Sequence, residues 1–501
     1  MTSRTRLLLS HGFETWGTWP DVNQSQRGLT QRLVGNTAAL SLAQLVRVGF
    51  NTVLSLLIAR QLGAAGFGKY GVLTAYINVF QVLAMAGVPR LVIRGMARAP
   101  EEEREWFRRT VASQVLTAAC STGILILLVH ILSHPPDTTR ALIIAAMSLV
   151  PFGLSSATEV AFRAREKMGL ITVTQTASMV TQAIGSVWVL LMGGGIVGLA
   201  WMVVLGQVVA AIVGVRIADR MRLWNAFRID LKGAMYLVRH AKDFFLVSSS
   251  VVVFSRLDVL ILAQMVGEEA VGVYNAAYLI IRVVNFLSVS YSDAAYPVFS
   301  RLYDGARGRF KSLLHQSLLF GTAATLLIAI LLAVVAEPVI GLLYQGQEYL
   351  ISARLLRIEA PFTVVFVWNA LLSSGLMAAD LQHRSVVVSG AKLGLGLVYY
   401  LVLTAWLGVT GTAIATVVAG TTGTALNYFF LSRELHSLDL MTLAAKPLMA
   451  GAILVATLWA AQSLPWPGLV VGGTVFYVLL LLALRILSVE DIRHLREAIR
   501  L

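Results

Sequence analysis

Five basic side chains stand inside stretches of sequence that are otherwise nearly free of charge: Arg47, Arg256, Arg282, Arg357 and Lys392. A charge in an apolar medium costs about 3 kcal/mol or more unless it faces water, an ionic partner or a ligand. The planar fork of arginine donates two parallel hydrogen bonds to a phosphate or carboxylate, so such a set suits an anion held in a wet cavity. Carboxylates are fewer, with Asp258 and Glu359 in the same stretches and Glu159 and Asp293 toward stretch ends.

The competing reading is internal pairing, Arg256 with Asp258 and Arg357 with Glu359. Residues two apart on a helix point to nearly opposite faces, so neither pair closes locally. Asp258 and Glu359 then either pair with an arginine on another helix or take up a proton or cation during a working cycle. For Arg357 and Lys392 the competitor is snorkelling to the membrane surface. Gln44 and Asn51 bracket Arg47, and with Asn36 they make that stretch too polar for a helix facing only lipid.

The stretches that carry these residues define the class. The chain has 501 residues, is 57% hydrophobic and only 13% charged, and has a mean hydropathy of +0.75. No soluble domain of ordinary composition approaches this. Fourteen stretches are long and apolar enough to span a bilayer, at 34–60, 70–87, 111–132, 141–162, 170–192, 197–215, 244–266, 271–299, 313–335, 354–377, 386–407, 410–431, 447–464 and 469–487. The expected fold is an all-α membrane protein.

With the amino terminus in the cytoplasm, most of the 40 Lys and Arg fall into loops on the inner side, and the turn at Glu268 and Glu269 lies outside. The net charge of +14 therefore records orientation and argues against a nucleic-acid partner. Both termini are expected in the cytoplasm. The single Cys120 permits no intrachain disulfide. No Walker A sequence and no paired metal-ligand spacing is present, so neither an enzyme nor a cofactor is expected.

An internal repeat organises the spans. Gly63, Gly68 and Tyr70 after the first span recur as Gly267, Gly272 and Tyr274 after the seventh. Pro151-Phe152 recurs as Pro361-Phe362, and Gly195, Gly198 and Ala200 recur as Gly408, Gly411 and Ala413. Six spans is an even number, so the two halves run parallel about an axis normal to the membrane. The division expected is an arm at 1–30, an amino-terminal lobe at 31–218, a linker at 219–243, a carboxy-terminal lobe at 244–432, two extra helices at 447–487 and an amphipathic tail at 488–501.

Residues 51–98, with Ala59-Arg60-Gln61-Leu62-Gly63 and Phe67-Gly68-Lys69-Tyr70, resemble the start of bacterial polysaccharide flippases of the Wzx type. Ser255-Arg256-Leu257-Asp258-Val259-Leu260-Ile261-Leu262 and Val271-Gly272-Val273-Tyr274-Asn275-Ala276-Ala277 resemble the seventh and eighth helices of that family. The resemblance implies the multidrug/oligosaccharidyl-lipid/polysaccharide exporter superfamily. It also implies alternating access by two lobes, which move a polyprenyl-pyrophosphate-linked oligosaccharide across a bacterial inner membrane for surface polysaccharide export. Membrane lipids, a polysaccharide polymerase and chain-length machinery are the implied partners. The two extra spans resemble those of lipid II flippases, and the same superfamily contains cation-coupled multidrug antiporters.

Overall fold

A computed structural model describes residues 22–223, 230–435, 440–484 and 486, without the side chains of 22–46, 100, 243, 247 and 440–443. Residues 1–21 of the expected arm, the tail 488–501 and the side chain of Gln44 lie outside the described residues. The described residues are helical, with no strand among them. In the first half run α1 (Val22–Met85), α2 (Val88–Arg98), α3 (Glu103–Ile131), α4 (Pro136–Ala146), α5 (Leu149–Ala164), α6 (Met168–Leu191) and α7 (Gly195–Arg220). The linking α8 (Leu231–His240) follows. The second half holds α9 (Lys242–Phe254), α10 (Leu257–Met265), α11 (Glu268–Gly305), α12 (Arg307–Val334), α13 (Ala336–Leu343), α14 (Leu350–Glu359), α15 (Phe362–Ala378) and α16 (Gln382–Leu435). Two more helices, α17 (Leu440–Ala460) and α18 (Trp466–Ala483), pack on α12 through Leu454, Leu458 and Tyr477.

Among the described residues, eight helical stretches, with α1 and α2 counted as one and α4 and α5 as one, are long and apolar enough to cross a membrane, and the bent pairs α9–α10 and α14–α15 bring the number to ten. The fourteen expected spans are not reproduced by this criterion, for physical reasons that can be named. α1 turns at Gly63 (φ 65°) and α16 at Gly408 (φ 59°), so each continuous element holds two arms. α6 carries Thr172, Thr174, Gln175, Thr176, Ser178, Thr181 and Gln182, a polar content that keeps it under the apolarity bound.

The repeat seen in the sequence coincides with backbone features. Gly63 and Gly267 both have positive φ, as do Gly195 and Gly408, a region open to glycine because it has no Cβ. The chain also breaks near Pro151, between α4 and α5, and at Pro361, between α14 and α15.

Packing differs between the two ends of the molecule. At one end a single apolar cluster takes residues from both halves, including Ile58, Leu73 and Leu199 with Tyr274, Ile281 and Leu355. At the other end each half has a separate cluster, one around Val92, Phe107 and Phe162 and one around Phe299, Phe310 and Leu371. The halves thus share an apolar core at the first end, the joined end, whereas at the second they touch where α2 begins against α9, at Gly87 and Phe245. The second end carries Arg90, Arg94, Arg98, Arg163, Arg216 and Arg301 and is called the basic end below.

Candidate functional site

Polar residues from four helices, α1, α6, α7 and α11, converge between the two halves. The first arm of α1 contributes Arg47, Asn51 and Ser55, spaced by four, and its second arm Tyr70, Thr74, Asn78 and Gln81. These spacings put each set on one helical face. From α11 come Asn275, Tyr278 and Arg282, while α6 and α7 add Gln182 and Gln207. Together they line a cavity of about 380 Å³.

Arg256 reaches the same cavity from the break between α9 and α10, which are bent by 52°. Its own backbone is non-helical (φ −130°, ψ 0°), so its side chain departs from the line of either helix. Three guanidinium groups line the cavity, and no carboxylate does among the described residues. Arg282 lies within electrostatic reach of Arg256. Around them stand six amides, each able both to donate and to accept hydrogen bonds. This lining can hold a compact anion next to a hydroxyl-rich or amide-bearing group.

The joined end closes over the cavity. α1 crosses α11 backbone to backbone: a Cβ added at Gly68 would lie 1.7 Å from the Glu268 carbonyl oxygen, and one at Gly272 would lie 1.8 Å from that of Ala64. Arg60 Nε and Nη2 donate to the carbonyls of Leu343 and Leu342, both at 2.7 Å, and so satisfy the carboxy-terminal end of α13. Tyr349 donates to the Ala59 carbonyl at 3.1 Å. His134 lies 3.6 Å from Glu268 and within 3.3 Å of the Tyr76 hydroxyl.

Of the residues singled out in the sequence, Arg47, Asn51, Arg256 and Arg282 meet in the cavity. Arg357 does not: it is exposed, pairs with Glu337 at 2.9 Å and donates to the Ala333 carbonyl. Lys392 also stands apart, 4.7 Å over the Phe254 ring with its stem against Gly423. Asp258 and Glu359 are buried in the second half, away from the cavity lining. Asp258 accepts from the Tyr274 hydroxyl at 2.9 Å and from the Val259 N–H at 2.8 Å. Glu359 makes no hydrogen bond of normal geometry among the described residues, but the Tyr274 hydroxyl stands near enough to interact with it, and it feels the charge of Asp258. No group of three metal-binding side chains occurs among the described residues. Asn78, Gln81, Gln182, Gln207 and Asn275 escape a search for buried charges. Uncharged polar stripes at helical spacing were the signal that carried them.

Residues 33–303, more than half of the chain, match the family described as polysaccharide biosynthesis protein. The chain belongs to that family. Residues 244–402 also match the MatE family. Among solved structures, the chain is similar to the lipid II flippase MurJ in an inward closed conformation. That likeness has a TM-score of 0.75 at 14% identity and covers 88% of this chain and 98% of that one. It is also similar to an inward-facing multidrug resistance MATE family transporter of the MOP superfamily (TM-score 0.61, 14% identity, 79% and 98% covered). A mutant of the Vibrio cholerae MATE transporter VcmN matches as well (TM-score 0.54, 16% identity, 83% and 99% covered). A search of curated protein sequences finds no significant match. Family and fold together make the chain a multi-pass membrane protein that shares its fold with the flippase MurJ and with MATE transporters.

Proposed function

We propose that the protein is a flippase that moves a polyprenyl-pyrophosphate-linked oligosaccharide from the inner to the outer leaflet of a bacterial inner membrane by alternating access, for surface polysaccharide export. The observation that carries this reading is the meeting of Arg47, Arg256 and Arg282 in one cavity whose described lining has no carboxylate. In this reading the guanidinium groups bind the pyrophosphate and the amides, Asn51 among them, bind the sugars. The basic end faces the cytoplasm with both termini, as the distribution of Lys and Arg supports. The lobes are 31–218 and 244–432, joined by the linker 219–243. A polymerase and chain-length machinery would take the product onward.

Asp258 and Glu359 are assigned to the driving ion. Glu359 is fully buried within electrostatic reach of Asp258, and two such buried carboxylates are costly unless one holds a proton or a cation. The same pair favours a second reading, a cation-coupled multidrug antiporter. The likeness to MurJ supports lipid II as an alternative cargo.

Arg47→Ala and Arg256→Ala variants, inserted at normal levels, should each reduce polymer export more than tenfold in a flippase-deficient host. Undiminished export would refute the assignment. Drug resistance conferred on a pump-deficient host would favour the antiporter, and rescue of a MurJ-depleted host would favour lipid II.

A further inference from the structure

We propose that the surface made by α2 and α8 at the basic end is a binding site for the headgroups of anionic phospholipids, placed where the two halves of the chain touch. The inference rests on the reading that this end meets the cytoplasmic leaflet.

In α2, Val88, Val92 and Met96 are buried against the cluster that contains Phe107 and Val111, while Arg90, Arg94 and Arg98 are exposed. Both sets repeat every four residues, and the two are offset by two, so they occupy opposite faces of one helix. α2 begins two residues after α1 ends at Met85, by way of Gly87 in the left-handed region (φ 71°). α2 carries on from the second arm of α1 without a bend above 40°, so Arg90 follows directly on the end of the apolar span.

The cations at this end fall into two groups. Arg108, Arg109 and Arg165 are engaged by Glu105, Asp230 and Glu103. Arg90, Arg94 and Arg98 take part in no ion pair among the described residues. Glu101 and Glu102 follow Arg98 in the next turn, so Arg90 and Arg94 carry the site.

α8 supplies the reason for choosing a lipid over a soluble anion. It buries Gly233, Ala234 and Leu237 and exposes Lys232, Tyr236 and Arg239 on one face, with Met235 beside them. Met235 is 52% and Tyr236 51% exposed. Apolar side chains flanked by cations are the pattern of a helix lying in the headgroup region, where the former enter the acyl boundary and the latter meet phosphate. A soluble acidic partner would leave them in water.

The site also lies on the contact between the halves. A Cβ at Gly87 would be 2.5 Å from the Phe245 nitrogen and 2.7 Å from the Ala241 carbonyl oxygen, so α2 starts directly on the α8–α9 junction. A headgroup shared by Arg94 and a cation of α8 would hold the first half against the start of the second.

The test uses the full-length protein in nanodiscs of phosphatidylcholine with a fraction of phosphatidylglycerol, and native mass spectrometry to count the lipids retained on release. The wild type should retain phosphatidylglycerol in preference. Arg90→Gln/Arg94→Gln should lose about fivefold of that preference per arginine, and Arg90→Lys/Arg94→Lys should keep it. Equal retention of the two lipids by the wild type, or an unchanged preference in the Gln variant, would overturn the proposal. Capture of soluble polyglutamate through the same arginines, without lipid preference, would overturn it in favour of an acidic protein partner. If the double variant does not insert, Arg94→Gln alone should show half of the logarithmic effect. Arg256→Ala should leave lipid retention intact while losing export, so failure of the flippase reading and failure of this one are separable.

Discussion

The Thr138 hydroxyl on α4 donates to the Glu268 carboxylate on α11 at 2.9 Å, a bond between the two halves that is buried on both sides. Hydrogen bonds to charged groups contribute about 1.5–3 kcal/mol. Thr138→Val preserves the shape and removes the donor, so it should shift the population away from closure at the joined end by about tenfold or more. Spin labels at Ala65 and Glu269 would report this as a longer distance component. An unchanged distribution would show that the bond follows closure and does not hold it.

The glycine crossing makes a stronger demand. Because a methyl group at Gly68 or Gly272 would meet backbone, which cannot rotate away, Gly68→Ala and Gly272→Ala should each prevent the observed closure. Export should fall at least tenfold at normal membrane levels. Gly341→Ala is the control, since nothing lies within 4 Å of its Cβ position. Normal export by the Gly272→Ala variant would remove the crossing from the mechanism.

Within the cavity, charge and geometry can be separated. Arg282→Lys keeps the charge but loses the fork, and should lower substrate-induced thermal stabilisation less than Arg282→Ala while remaining below wild type. Gln182→Leu and Gln207→Leu each remove about 1 kcal/mol of hydrogen bonding, or about fivefold in affinity. An effect of Arg282→Ala no larger than that of Gln182→Leu would contradict a charged ligand.

Asp230 precedes α8 and accepts from the Gly233 N–H at 2.9 Å, with Arg109 at 3.3 Å. That backbone bond first, and then the neighbouring Arg109 and Arg108, hold its carboxyl below the usual carboxylate range. A lowered value in the folded state means that its contribution is complete above the ordinary value near 3.9 and fades as pH falls through the lower one. Hydrogen exchange at the start of α8 should therefore accelerate, after correction for intrinsic rates, as pH drops below about 4. Asp230→Ala should show the faster exchange throughout, at a cost of about 1 kcal/mol to the cap, and a wild type that keeps full protection at pH 3 would refute the link.

The sequence is legible where one residue type has one physical use. Gly63, Gly68, Gly267 and Gly272 were visible as a repeat because turns and close crossings tolerate little else. The same holds for Pro361 at a helix break. It was less informative where rotation of a helix about its own axis decides. Arg357 looked as isolated as Arg256, but its partner Glu337 comes from α13, and only the packing of α13 against α14 brings them together. On a continuous helix Arg256 and Asp258 would point to nearly opposite faces, whereas the break at Ser255 and Arg256 sends one to the cavity and the other to Tyr274. Five of the six cavity amides, all but Asn51, are not singled out by the sequence because an uncharged polar residue in a span has many uses, and its direction is set by tertiary contact.

The crossing at Gly272 lies near one tip of α11, and that placement makes the helix a lever with unequal arms. At 1.5 Å per residue, Arg282 is about 15 Å from the fulcrum and the region of Arg301 about 43 Å. A rotation of about 10° would carry Arg282 through roughly 2.6 Å and the distant end through roughly 7.5 Å. On the reading proposed above, Arg282 would stay close to a bound anion during a swing wide enough to change which side of the membrane it faces.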